Sequence, residues 1–223
     1  MRTWCVVSQK GGSGKTTLLL HVSVVAMAAK LTVSVIDLDP QRSAEQWAEL
    51  REQLLGVVEP AVVHGTPSGL DGMLTAARKT GTDLVLIDTP PAVDKSMIFA
   101  AAAADVVIVP TRSGVLDRFA LKETLDYLKR IGVLWKTVVV LNAPRNNASD
   151  RVEIESIVGR EFRVALLNLA LEDDPQLSDA LGRGQGITED APRRKPAKAV
   201  KALYEQLCAF EAKLSKTTSR VSA

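Results

Sequence analysis

The stretch Gln9-Lys10-Gly11-Gly12-Ser13-Gly14-Lys15-Thr16-Thr17 follows a strand-forming apolar run, Thr3 to Ser8, and opens a run of helical periodicity, Thr17 to Lys30. A strand, a short glycine-rich loop and a helix in that order constrain the fold more than any other feature of the chain. Glycines let successive backbone N–H groups turn inward on one anion, and the following helix aims its positive end at the same charge. The pattern suits a polyphosphate held by Gly11, Gly12, Ser13, Gly14 and Thr17. Lys15 would reach the β- and γ-phosphates, and the Thr16 hydroxyl would ligate Mg²⁺. The common pattern G-x-x-x-x-G-K-[ST] asks for glycine where Gln9 stands, so the loop departs from it by one residue.

Two acidic features follow at strand ends. Leu31 to Ile36 reads as a strand that stops at Asp37-Leu38-Asp39-Pro40-Gln41, and Asp83 to Asp88 reads as a buried strand followed by Thr89-Pro90-Pro91. Open α/β sheets bind ligands at the carboxyl ends of their strands, where Asp37, Asp39 and Asp88 would then lie. Asp88 could hold Mg²⁺ there, through water. Helices are expected at Ser43 to Leu55, with Ser43 as N-cap, at Leu70 to Lys79, at Ile98 to Ala104 and at Leu116 to Ile131. The last has an apolar face of Leu116, Phe119, Ala120, Leu121, Leu125, Leu128 and Ile131.

Further strands are expected at Val62 to His64, Asp105 to Pro110, Thr137 to Leu141 and Arg163 to Leu167. Glu153 to Arg160 and Asp174 to Leu181 read as helical, and Gly182, Gly184 and Gly186 read as loosening the chain beyond Leu181. Strands alternating with helices imply parallel strands, right-handed crossovers and helices on both faces. The expected fold class is therefore α/β: a three-layer, doubly wound, mostly parallel sheet. We expect one domain over residues 1–214 and a disordered tail over 215–223.

With Gln9 in place of the first glycine, and Lys10 directly before Gly11-Gly12, the loop resembles the deviant Walker A sequence of the ParA and MinD group of P-loop ATPases. Gln-Lys-Gly-Gly resembles the ParA branch in particular, and so do Asp-Leu-Asp-Pro-Gln and the Asp-Thr-Pro-Pro ending. The resemblance covers most of the first 145 residues. It implies ATP and Mg²⁺ as cofactors, with Asp39 orienting the attacking water and Asp37 joining Thr16 and Asp88 around the metal. It implies that Lys10 reaches across an ATP-dependent homodimer to the phosphates held by the other copy's Lys15. By resemblance Asn142 reads the adenine edge, whereas from the residues alone it is equally a turn residue. The family activity implied is a DNA-segregation ATPase of the short form, lacking an N-terminal helix-turn-helix region. Its ATP dimer binds DNA nonspecifically, and a centromere-bound ParB-type partner stimulates hydrolysis and release.

A net charge of +2 names no partner, but its distribution is uneven. Arg183, Arg193, Arg194, Lys195, Lys198 and Lys201 are opposed locally only by Glu189 and Asp190, a pattern able to neutralise DNA phosphates. An ordinary solvated helix face is the competing reading. Leu203, Leu207, Phe210 and Leu214 form a stripe that a MinD-like relative would use on a membrane. Glu205 and Glu211 on the polar side favour packing against the sheet instead, with no stable membrane association. Cys5 and Cys208 have neither metal spacing nor a disulfide framework, and neither is placed like the ligands of a cluster-sharing reductase of the nitrogenase iron protein type, a competing reading that an absence of iron would close. We expect neither His21 nor His64 to have a chemical role. A loop so near the first residue leaves no room for a signal peptide, so we expect a cytoplasmic, nucleoid-associated protein. A related reading keeps the DNA track and gives it a cargo other than DNA.

Overall fold

The computed structural model describes residues 1–142, 148–171 and 174–221. Seven strands, β1 (Arg2–Val6), β2 (Val33–Asp37), β3 (Ala61–His64), β4 (Leu84–Asp88), β5 (Val106–Thr111), β6 (Thr137–Asn142) and β7 (Ala165–Leu171), form one sheet in the order β3-β2-β4-β1-β5-β6-β7. Every pairing is parallel. Both faces of such a sheet must be covered, so its strands read as continuous apolar runs instead of alternating ones. Trp4, Val6, Val35, Leu86, Ile108 and Val140 face one layer; Cys5, Val7, Ile36, Ile87, Val107 and Val139 face the other.

The first layer holds α1 (Lys15–Ala28), α2 (Ser43–Leu55), α7 (Pro175–Gly182), α8 (Ile187–Asp190) and α9 (Lys195–Val221). The second holds α3 (Leu70–Lys79), α4 (Lys95–Ala103), α5 (Val115–Arg130) and α6 (Ala148–Glu155), the last running into a π-helical turn, Ser156–Glu161. Chain order reverses around β1, which puts the glycine loop at a crevice between diverging connections.

Three local expectations change. Ser43 is the first residue of α2 and not its cap. Arg42 takes the N-cap position with φ 54° and no side-chain cap bond, because a carboxylate from β2 caps this helix instead. On α5, Leu116 and Phe119 are 69% and 60% exposed, whereas Leu121, Leu125 and Leu128 are buried and Ile131 packs against the same core. Gly184 and Gly186 do not loosen the chain. A Cβ at Gly184 would lie 2.8 Å from Arg51 Cα, and one at Gly186 would lie 2.7 Å from Val24 Cβ, so these glycines admit close packing. α9 continues past Leu214 to Val221.

The apolar stripe of α9 is spent on packing. Leu203 and Leu207 are buried, while Phe210 and Leu214 are half-buried against the same core. Glu211 ties the helix to β1, accepting from Trp4 Nε1 at 2.9 Å and from Arg2 Nη1 at 3.3 Å. No helix among the described residues is long and apolar enough to cross a membrane. Cys5 and Cys208 are free thiols, and burial pushes Cys5 up to about 12.

His21 has a structural part in this layer. Its Nε2 donates to Leu177 O at 3.2 Å and its Nδ1 accepts from Ile187 N at 3.1 Å, which joins α1 to α7 and α8. Those bonds use the neutral ring, and burial lowers its pKa from 6.5 to about 4. Between those values the unfolded chain takes up a proton that the folded one refuses, so stability falls as pH drops through that window. Wild-type protein should lose about 3 kcal/mol more stability than His21→Gln between neutral pH and pH 4, measured by denaturant titration. Equal losses would refute this role.

Candidate nucleotide site

The loop between β1 and α1 turns on Gly12 at φ 73° and Gly14 at φ 89°, left-handed values that side chains resist. No side chain caps α1 at Gly14, so its leading N–H groups face the loop. Ser13 is buried, yet its Oγ has no hydrogen-bond partner. Asn142 braces the loop from the end of β6. Its Nδ2 donates to Ser13 O at 2.9 Å and would stand 2.1 Å from a Cβ added at Gly14.

Lys15 is only 7% exposed and makes no ion pair within 4.0 Å among the described residues. Burial lowers its pKa, against the pull of Asp88 and Asp39. A buried cation, a hydroxyl and N–H groups around one glycine loop form a set of donors with no acceptor for Lys15 Nζ or Ser13 Oγ among the described residues. A polyphosphate fits that set.

Asp37 and Asp88 end neighbouring strands in direct register, and both side chains are fully buried. Burial is the main reason Asp88 is pushed up to about 7; Asp37 and Asp39 add to the shift, while Thr16 and Lys15 oppose it. Thr16 Oγ1 donates to Asp88 Oδ2 at 2.5 Å, and Thr89 N donates to Oδ1 at 3.1 Å. Mg²⁺ usually takes one or two protein oxygens, completing its shell with phosphate and water. Thr16 and Asp88 form such a pair beside the loop, so the residues fit the ion. The described residues contain no cluster of three or more His, Cys, Asp or Glu that would hold a metal alone.

The metal role expected for Asp37 meets a carboxylate that is already engaged. Its Oδ1 accepts from Asp39 N at 2.9 Å, and its Oδ2 accepts from Ala44 N at 2.9 Å and Glu45 N at 3.3 Å. Asp37 thus sets the backbone of Asp39 and caps α2, the function that Ser43 does not fulfil. Asp39 is nearly buried, and its Oδ1 accepts from Gln41 N at 2.9 Å. Its other oxygen accepts no hydrogen bond among the described residues.

Lys10 lies apart from this cluster. Its Nζ is 2.6 Å from Asp117 Oδ1 on α5, with the lysine side chain about a third exposed. Asp117 carries no sequence signature and becomes visible only once α5 lies beside the loop.

Of the basic residues, Arg183 closes the end of α7, Arg193 and Arg194 lie in the α8–α9 turn, and Lys195, Lys198 and Lys201 are on α9. Arg183 is engaged at home, its Nε and Nη2 each 2.7 Å from Asp190. Glu189 is taken by Arg51. Both acids that oppose the run in sequence are therefore neutralised internally. Arg193, Arg194, Lys195, Lys198 and Lys201 are all exposed and form no ion pair among the described residues. His64 is exposed at the end of β3 and joins none of these groups. Lys15→Ala should abolish nucleotide binding in a fluorescent-ATP titration while leaving the fold intact by circular dichroism; unchanged affinity would remove the loop as the phosphate site.

Comparison with known proteins agrees with this geometry. The maintenance of carboxysome distribution protein A of Gloeobacter kilaueensis is 38% identical over 125 residues, covering 56% of this chain and 55% of that protein. The chromosome-partitioning ATPase Soj of Thermus thermophilus is 27% identical over 245 residues, covering 94% of this chain and 96% of Soj. The chain thus matches about half the length of the first and nearly all of the second. Among solved structures, the septum site-determining protein MinD of Pyrococcus horikoshii, complexed with Mg-ADP, superposes with a TM-score of 0.73 at 20% identity, covering 92% of this chain and 95% of that one. The model of the CobQ/CobB/MinD/ParA nucleotide-binding domain matches residues 4–187, and the chain belongs to that family.

Proposed function

We propose that this chain is a Mg²⁺-dependent ATPase that dimerises on ATP, binds DNA nonspecifically as the dimer and leaves it after hydrolysis stimulated by a ParB-type partner protein. The observation that carries the DNA reading is the exposed run Arg193, Arg194, Lys195, Lys198 and Lys201, whose opposing acids Glu189 and Asp190 are both spent on internal ion pairs. A surface left with so many unpaired cations attracts phosphate without selecting bases. Two copies double the contacts and steepen the salt dependence.

In this mechanism the loop N–H groups and Lys15 hold the β- and γ-phosphates, while Thr16 and Asp88 receive the metal. The ion supplies a charge clamp on the phosphate oxygens. Asp39, fixed through Asp37, presents its unengaged oxygen to the attacking water. Lys10 leaves Asp117 and crosses to the phosphates of the other copy, making the working unit a dimer. The domain is taken as a single unit, acting in the cytoplasm on the nucleoid.

The 38% identity to a carboxysome distribution protein favours a second reading, in which DNA is the track and the cargo is another body. A MinD-like membrane role would need the α9 stripe, which is spent on the core. Cosedimentation with anionic vesicles in ATP would test that alternative directly.

Asp39→Ala should bind ATP, hydrolyse it at under about a tenth of the wild-type rate and accumulate as a dimer in light scattering with ATP. Wild-type turnover would remove Asp39 from the chemistry. Replacing Arg193, Arg194 and Lys195 together by Ala should weaken ATP-dependent DNA retention and flatten the slope of log K against log salt by about 5 for a dimer, at roughly 0.9 per lost contact. An unchanged slope would show that these residues do not contact phosphate.

A further inference from the structure

The four-residue helix α8 is gripped by both helices that leave the nucleotide site. From α1, which opens at the loop, His21 accepts a bond from Ile187 N, and Val24 fills the space over Gly186. From α2, which opens at the Asp37 cap, the Arg51 side chain reaches the same place with only 5% exposure. Its Nη1 donates to Gly184 O at 2.7 Å and to Glu189 Oε2 at 2.8 Å, and its Nη2 donates to Glu189 Oε1 at 2.7 Å. The Nε donates to Glu59 O at 2.8 Å, and the guanidinium lies 5.4 Å from the centre of the Trp47 ring. Glu189 Oε2 also accepts from Gly186 N at 3.0 Å, closing the first turn of α8.

A buried, bidentate guanidinium of this kind fixes geometry, but it is a weak device for stability, since apolar packing of equal volume does as well. What it joins is specific. One end of α2 is set by the carboxylate that also sets Asp39; Arg51, about 10 Å along the same helix, is bonded to α8. Pro192 and then Arg193, Arg194 and Lys195 come directly after α8. α2 thus carries contacts to the Asp37–Asp39 segment at one end and to the helix before the basic turn further along.

We propose that Arg51, acting through Glu189, is the positioning residue that makes the turn Arg193–Lys195 respond to nucleotide at the phosphate loop. The proposal rests on the DNA reading above only for what the turn then does. The test is amide hydrogen exchange over residues 183–201 in the full chain, with and without a nonhydrolysable ATP analogue and Mg²⁺, in the absence of DNA. Wild-type protein should change its protection in this segment when the nucleotide binds. Arg51→Lys and Glu189→Gln should lose that change while keeping nucleotide affinity within about tenfold. Their DNA retention should no longer differ between the ATP and nucleotide-free states.

Absence of the change in wild-type protein would overturn the proposal, and so would its persistence in the variants. A parallel fall in nucleotide affinity would do the same, because it would make Arg51 a merely structural clamp. If Arg51→Lys does not fold, Glu189→Gln decides alone, since it keeps a neutral acceptor for the guanidinium. Exchange that responds as described in a protein that never retains DNA would remove the DNA reading and leave the coupling standing.

Discussion

Two carboxylates ending adjacent parallel strands with no access to water set the terms for the rest of this molecule. Asp37 and Asp88 lie side by side because the sheet register puts them there, and a sheet covered on both faces leaves polar groups only at its strand ends. Burial opposes the ionisation of both, and neighbouring carboxylates add to it: Asp39 for Asp37, and Asp37 and Asp39 for Asp88. The protein answers with three N–H donors on Asp37, and with Thr16 and the nearby Lys15 beside Asp88. A metal ion held by Thr16 and Asp88 would add positive charge at this end of the sheet, beside the donors of the glycine loop.

The same arrangement explains why the two helices flanking the site are placed so firmly. α1 is rooted in the glycine loop, and α2 in the Asp37 carboxylate that also sets the backbone of Asp39. Their far sides are locked to α7 and α8 by the buried side chains of His21 and Arg51. α5 meets the loop from the opposite side, where Asp117 holds Lys10.

Much of this is legible in the residues, and the remainder is hidden for physical reasons. The loop, the acidic strand ends and the alternation of elements are local signals, and Leu70–Lys79 matches the observed α3 at both ends. The cap of α2 is misassigned from sequence because Ser43 satisfies a local rule, while the true acceptor arrives from another strand. Gly184 and Gly186 look like loosening elements because a sequence does not show that Arg51 and Val24 occupy the space their side chains would need. The apolar face of α5 is overextended because periodicity marks which side faces inward and says nothing of how far along the helix the sheet reaches. Arg51 and Asp117 leave no trace, since an ordinary charged residue on a helix becomes distinctive only through a partner far away in the chain.

The bond from Trp4 to Glu211 joins residues 207 positions apart, and it anchors the strand that feeds the phosphate loop. The neighbours of β1 in the sheet, β4 and β5, also come from much later in the chain. The strand that carries the nucleotide site is thus made early and enclosed late. Contacts of such separation incur loop-closure entropy before any favourable contact forms, which places the ordering of the loop near the end of folding. A chain still being synthesised would carry this glycine segment before it could bind nucleotide, and the acquisition of ligand binding would report that the C-terminal helix has docked.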